Sequence, residues 1–201
     1  MAWLLAAGGI AAIGGILVAN WDWFKNIPRP DLAYLSAIKL KALDGSGKEI
    51  MASDLWRNSG AVIMEALELS SLKPELDKRG INLVGIVHEQ KGVKKFQPYL
   101  NSPIYLDEER KFYGPEQRWM LISGFFRIGV WKAGLRALRK DIVWDLKGEG
   151  RILGGVFVIG PGEQGILLDH LAKDFGDEVD PKDVMTAVEK IKYYSTEKSQ
   201  L

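Results

Sequence analysis

The spacing of apolar and polar residues changes along the chain, and each change marks a new element. Residues 38–50 alternate about Asp44-Gly45, which predicts a β-hairpin. Residues 61–64 and 81–87 are continuous apolar runs of strand length, and the leucines between them recur at helical spacing. The first half of the chain therefore predicts a hairpin followed by a β-α-β unit.

The second half predicts a further hairpin and a closing helix. Two apolar runs flank a Gly-Pro-Gly turn within residues 151–170, and this pattern favours a hairpin. Asp180 and Pro181 suit the N-cap and first position of a helix. Residues 104–106 predict a short strand, and residues 116–140 are predicted to be mainly helical. This order of elements predicts an α/β sandwich around a mixed central sheet.

Three residues indicate where helices begin and end. Ser53 is predicted to cap a short helix that runs through Arg57. Gly80 is predicted to end the helix of the β-α-β unit at the left-handed C′ position. Pro74 lies inside that helical pattern, so either the proline bends the helix or the helix begins late.

The N-terminal segment differs from the rest of the chain. Residues 2–19 carry no charge, and 18 residues are at the short end of what spans a bilayer as a helix. Aromatic residues and then cations follow, an order typical of a membrane interface. Three interpretations are open: a membrane anchor with its cations on the cytoplasmic side, a signal peptide, and a buried or interfacial apolar helix. We therefore separate an apolar segment and linker, residues 1–30, from a domain over residues 31–201.

Composition excludes several classes of function. The chain has 27 basic and 26 acidic residues, so no nucleic-acid partner is predicted. It has no cysteine, which excludes disulfides, thiolate nucleophiles and thiolate metal sites. Its two histidines are far apart in sequence, which disfavours a metal site. The glycine-rich stretch GEGRILGG lacks the context of a dinucleotide or phosphate loop, so no cofactor is predicted.

Two further features have both a functional and a structural interpretation. His88 and Glu89 follow a predicted strand at the edge where α/β sheets bind ligands. One histidine beside one glutamate is weak support for acid–base chemistry, so a solvated strand end is the favoured interpretation. Residues 125–140 place apolar side chains on one helical face and cations on the other. Such a helix covers a sheet more often than it lies on an anionic membrane.

Long blocks of sequence, in their order along the chain, resemble the peroxiredoxin-like 2A family. The resemblance covers about residues 30–190. It implies a thioredoxin-like fold of the peroxiredoxin type and a thiol-dependent antioxidant activity with a role in redox regulation. The blocks are GAVIM, LSSLKPELDKRG, FQPYL, IYLDEERKFYGP, GFFRIGVW, GEGRILGGVFVIGPGEQGILLDH and KDFGDEV.

The resemblance places the family's chemistry in a Cys-x-x-Cys loop between the first core strand and the following helix. A helix N-terminus there lowers the pKa of the reactive thiol. In this chain the strand ends at Met64 and the family-like helix resumes at Glu65. We interpret the loop, its cysteines and the first helical turn as lost in frame, through exon skipping, an annotation error or lineage-specific loss. A relative that never had the pair is the alternative, and no catalytic residue is carried over.

Gly154 and Gly155 precede the strand where thioredoxin folds hold a cis-proline facing the reactive cysteines. By this resemblance the two glycines form the far wall of the former site. A β-bulge or a close packing position is an equally open interpretation.

Two classes of function follow, and a third interpretation is that the chain barely folds, because removal of the loop pulls strand against helix. One is a catalytically inactive member of an antioxidant family. The other is a non-catalytic thioredoxin-like module that binds unidentified protein partners and contacts a membrane through residues 2–19. The expected location is the cytoplasm, with secretion as the alternative.

We predict that residues 2–19 confer membrane association, because the segment is uncharged and followed by interfacial aromatic residues. Fractionation of cells that express the full chain or residues 31–201 tests this. The full chain should sediment with membranes and the fragment should stay soluble. Full-length protein found entirely in the soluble fraction would contradict the prediction.

Overall fold

The computed structural model describes residues 28–64, 67–91, 93, 97, 100–117, 153–173 and 177–192 of the chain. The chain divides into two compact units, and nearly all described residues belong to the unit formed by residues 29–115, 154–171 and 179–201. The predicted N-terminal helix and most of the predicted helical region 116–140 lie outside the described residues. None of the helices that are described is long and apolar enough to cross a membrane.

Within the described residues this unit contains strands, short α-helices and 3₁₀ turns. The strands are β1 (Lys39–Ala42), β2 (Glu49–Met51), β3 (Ala61–Met64), β4 (Asn82–Val87), β5 (Ile104–Leu106), β6 (Gly155–Ile159) and β7 (Ile166–Leu171). The α-helices are α1 (Leu32–Ser36), α2 (Lys73–Lys78) and α3 (Pro181–Val188). The 3₁₀ segments are Ala52–Leu55, Leu67–Leu72 and Lys111–Tyr113.

The strands form one mixed sheet in the order β2-β1-β5-β4-β3-β6-β7. β4 lies between β3 and β5 and runs parallel to both. The other pairings, which are β1 with β2, β1 with β5, β3 with β6 and β6 with β7, are antiparallel. β3 therefore lies inside the sheet, and all four of its residues are buried. Burial on both faces explains its uninterrupted apolar sequence. The predicted α/β class with a mixed central sheet is confirmed.

Both predicted hairpins and two predicted helix ends are confirmed. β1 pairs with β2 and β6 pairs with β7, each in antiparallel register. Gly80 has a φ of +67°, and its N–H donates to the Asp77 carbonyl at 3.0 Å. The Ile81 N–H donates to the Leu76 carbonyl at 3.0 Å, which completes a Schellman motif. At α3 the Asp180 side chain accepts from the Lys182 N–H at 2.9 Å.

The predicted N-cap at Ser53 is wrong. β2 continues directly into the 3₁₀ segment that begins at Ala52, whose N–H donates to the Ile38 carbonyl at 2.8 Å. Asp54 supplies the side-chain cap and accepts from the Met51 N–H at 3.2 Å. The segment ends at Leu55, so Arg57 lies beyond it.

The connection after β3 is short and tightly wound. Only residues 65 and 66 separate Met64 from a 3₁₀ segment of six residues, Leu67–Leu72. Runs of 3₁₀ helix longer than about 3–4 residues are uncommon, because their hydrogen bonds have poorer geometry. The α-helix proper begins at Lys73 with Pro74 in its first turn. Of the two interpretations of the proline, the late start is the one observed.

We predict that a longer connection stabilises the domain. Inserting a loop of the family's kind between Met64 and Glu65, with both cysteines written as serine, should raise the midpoint of thermal unfolding. Leu69 and Leu76 are buried on this connection and on α2, and each fully buried leucine contributes about 1.5–3 kcal/mol. Because these leucines are already buried, the gain should come from replacing part of the long 3₁₀ segment with better hydrogen-bonded α-helix while their burial is kept.

The matched control carries the same insertion in the exposed hairpin turn between Gly45 and Ser46. This control should melt no higher than the unmodified chain. An unchanged or lower midpoint for the Met64 insertion would show that the short connection is tolerated without strain.

Candidate functional site

The carboxyl ends of the three parallel strands meet at one edge of the sheet. β3 ends at Met64, His88 follows β4, and Asp107 follows β5. Val87 pairs with Leu106, so His88 and Asp107 lie side by side beyond the two strands. The Asp107 N–H donates to the Val87 carbonyl at 2.8 Å and holds the strand ends together. This edge is where α/β sheets commonly bind ligands.

Asp107 is fully buried and shapes the turn that follows β5. Its Oδ2 accepts from the Phe112 N–H at 2.7 Å, and its carbonyl accepts from the Arg110 N–H at 3.1 Å. Its Oδ1 is buried and has no hydrogen-bond partner in the described part of the chain. Burial raises the pKa of the Asp107 carboxyl, and the hydrogen bond from Phe112 opposes that rise only in part.

The turn that Asp107 caps brings Tyr113 to His88. Tyr113 Oη lies 2.5 Å from His88 Nδ1, and the two rings meet edge to face at 85° with centroids 5.0 Å apart. The neighbouring Phe112 ring is anchored in the core against Phe157, with centroids 6.2 Å apart. His88 is therefore half-buried against a tyrosine, whereas the sequence favoured a solvated strand end.

Tyr34 of α1 braces the same turn from the other side. Its hydroxyl donates to the carbonyls of Lys111 and Gly114 at 3.2 and 3.4 Å. Burial raises the pKa of the Tyr34 phenol, and the nearby Lys111 ammonium opposes that rise. The turn is thus held by Asp107 from within and by Tyr34 from α1.

Gly154 and Gly155 lie beside the end of β3. Val156 pairs with Met64, so Gly155 is one residue beyond the point where β3 stops. A Cβ at Gly155 would lie 2.7 Å from the His170 carbonyl oxygen on β7. The close approach of β7 is therefore a sufficient reason for glycine at this position. The role of the two glycines as a wall of the family's site stays a prediction.

The remaining polar candidates do not gather into a site. His170 lies on β7 and His88 follows β4, and β3 and β6 separate these strands in the sheet. Glu89 follows His88 and is half-buried. Among the described residues no group of three or more potential metal ligands occurs.

Comparison with known proteins identifies the family. Residues 68–174 match the sequence model of the family described as AhpC/TSA antioxidant enzyme. Peroxiredoxin-like 2A of Gallus gallus is 48% identical over 206 aligned positions, which cover 94% of this chain and 92% of the relative. The chain belongs to the peroxiredoxin-like 2A family. The Mus musculus relative is 47% identical, with 94% of each chain covered.

Membership of the peroxiredoxin-like 2A family, together with the mixed sheet, confirms the thioredoxin-like fold. The solved structures similar to this chain include the bacterioferritin comigratory protein of Xanthomonas campestris, studied for alkyl peroxide reduction activity. That structure is 16% identical, covers 82% of this chain and 97% of its own, and superposes with a TM-score of 0.45.

This peroxiredoxin-like 2A chain is shorter inside the aligned region than its relatives. The alignment with the Gallus gallus protein is 206 positions long, which exceeds the 201 residues of this chain. About 17 aligned positions therefore have no counterpart here, because only 94% of this chain takes part. The 201 residues of this chain include no cysteine. The chain thus lacks the thiols on which the chemistry expected from the resemblance depends.

Sequence reasoning missed Asp107 and Tyr113. The available signal was an aspartate directly after a strand, followed five and six residues later by Phe112 and Tyr113. An aspartate in such a position commonly accepts hydrogen bonds from the backbone of a following turn. The contact with His88 had no local signal, because it joins residues 25 positions apart.

We predict that the free energy of unfolding of Asp107→Asn increases relative to that of the wild type as pH rises. Asparagine still offers an oxygen to the Phe112 N–H but cannot ionise. Burial raises the folded-state pKa of Asp107 above its unfolded value of about 4. The folded wild type therefore binds the extra proton, and its stability declines from about pH 4 upward through the raised pKa. The variant lacks this decline.

Urea unfolding at pH 4 and pH 7 measures the effect as the free energy of unfolding of the variant minus that of the wild type. This difference should grow with pH. Asp183→Asn, at an exposed carboxylate in the first turn of α3, is the control and should not show the increase. A difference for Asp107→Asn that is the same at both pH values would rule out a raised pKa.

Proposed function

We propose that this chain is a peroxiredoxin-like 2A protein that has lost thiol peroxidase chemistry and acts as a binding module. The absence of cysteine from the 201 residues of this chain carries the proposal. A thiol cycle needs a thiolate to attack and a second thiol to form the disulfide. Methionine can be oxidised but does not form that disulfide, so no residue here replaces the pair.

The preserved sheet supports a binding role over a failed fold. β3 still pairs with β4 on one side and β6 on the other, up to Met64. The carboxyl edge next to it still carries an ordered turn on Asp107. A thioredoxin-like scaffold that keeps this edge can present it to a protein partner without performing redox chemistry.

The position of the loss favours a variant of an active gene product. Family-like sequence continues to Met64 and resumes at Glu65, and the aligned relatives contain positions that have no counterpart here. In-frame removal of one segment, as in a splice variant, is the simplest event that leaves both flanks intact. The form that retains the segment would then carry the antioxidant and redox-regulating role.

The N-terminal segment supports a location at a membrane. Residues 2–19 are uncharged, and cations follow them. By the preference of cations for the cytoplasmic side, the thioredoxin-like domain would lie in the cytoplasm. The binding module would then act on partners at the membrane surface.

We predict no reductant-dependent peroxide turnover by the purified chain above a heat-killed control. The expectation follows from the lack of any cysteine. A chain with a family-like Cys-x-x-Cys segment restored between Met64 and Glu65 is the positive control and should gain turnover. Its counterpart with two serines should not. Turnover by the unmodified chain with a thiol reductant would overturn the proposed function.

A further inference from the structure

The His88–Tyr113 pair is a phenol held against a base in a protein that has no thiol. The two heteroatoms are 2.5 Å apart, a short distance for a hydrogen bond. Tyr113 is only 4% exposed, whereas His88 is half-buried at the end of β4. We propose that this pair is a one-electron antioxidant centre. Tyr113 gives an electron to a peroxyl radical and its proton to His88.

The step balances in electrons and protons. The imidazole accepts the phenol hydrogen bond at Nδ1 in the tautomer that carries its proton on Nε2. One electron passes from the Tyr113 ring to the peroxyl radical, which becomes a hydroperoxide anion. The O–H bond of Tyr113 breaks, and an N–H bond forms at His88 Nδ1. The products are a neutral tyrosyl radical, an imidazolium and the hydroperoxide anion, which then takes up a proton from solvent.

Burial makes the base necessary. Removing only an electron from Tyr113 would leave a positive charge inside the domain, and an uncompensated buried charge is costly. Proton transfer across the existing hydrogen bond leaves the buried ring neutral. It moves the positive charge to His88, a half-buried residue whose imidazolium spreads that charge over two ring nitrogens.

Burial also selects the route of the reaction. A surface radical cannot touch a phenol oxygen that the domain covers, so abstraction of a hydrogen atom by direct contact is disfavoured. The electron and the proton instead leave in different directions, the proton to His88 and the electron to the surface. Tyr34 lacks this arrangement, because its hydroxyl donates to the carbonyls of Lys111 and Gly114, which are not bases.

The full chain can be tested with hexachloroiridate(IV), a one-electron oxidant that stands in for the peroxyl radical. Stopped-flow bleaching measures the rate of oxidation, and freeze-quench electron paramagnetic resonance identifies the radical. The wild type should form a tyrosyl radical, and its rate should fall in D₂O. Tyr113→Phe should lose this signal. His88→Gln, which keeps a hydrogen-bond acceptor but removes the base, should slow the reaction about tenfold or more.

Tyr105→Phe is the control, because Tyr105 is a half-buried phenol on β5, away from the turn. It should react like the wild type, and thermal melting should show that each variant is folded. An unchanged rate in folded His88→Gln, or an unchanged radical yield in folded Tyr113→Phe, would overturn the proposal. The same rate for the wild type in H₂O and D₂O would also overturn it, and this measurement needs no variant.

The test is independent of the proposed loss of thiol chemistry. It uses no thiol reductant and reads a radical, whereas the peroxidase assay reads turnover that depends on such a reductant. Either proposal can therefore fail while the other holds.

Discussion

The pairing of β3 on both sides constrains the rest of the domain. β3 pairs with β4 on one side and with β6 on the other, and all four of its residues are buried. A slip by one residue would turn every β3 side chain to the opposite face. β3 therefore keeps its register even though the segment after Met64 is short. The conformation of the connection changes instead, and a 3₁₀ segment of six residues there precedes an α-helix of six residues.

The same constraint divides the carboxyl edge of the sheet into two parts. Beside Met64 the resemblance places chemistry that this chain no longer has. Beside Val87 and Leu106 the edge keeps an ordered polar turn that does not depend on the β3 connection. Asp107 holds the turn through the Phe112 N–H, and β4 and β5 fix its position through their own register. Loss of the thiols therefore leaves the geometry of His88 and Tyr113 intact.

Features with a local cause could be predicted from the sequence. The apolar runs of β3 and β4, the turn between β6 and β7, and the end of α2 at Gly80 each follow from neighbouring residues. Other features depend on contacts between distant segments. The pair formed by His88 and Tyr113 depends on how β4 and β5 align. The helix α1 is capped by Asp31 and is only five residues long. Five residues are too few for a periodic spacing of apolar side chains to be recognised in the sequence. At Ser53 the sequence offered a good cap, but the pairing of β2 fixed an earlier start.

Asp107 shows why stability alone does not account for this edge. The carboxyl is fully buried, one of its oxygens has no hydrogen-bond partner among the described residues, and its pKa is raised. A buried polar group without a full set of hydrogen bonds costs free energy. A neutral side chain that accepts the same backbone hydrogen bond would cap the turn at lower cost near neutral pH. The carboxyl differs from such a residue in being able to ionise, and it lies directly after β5, at the edge where α/β sheets commonly bind ligands. A stability that depends on pH is therefore the property that separates Asp107 from a simple neutral cap.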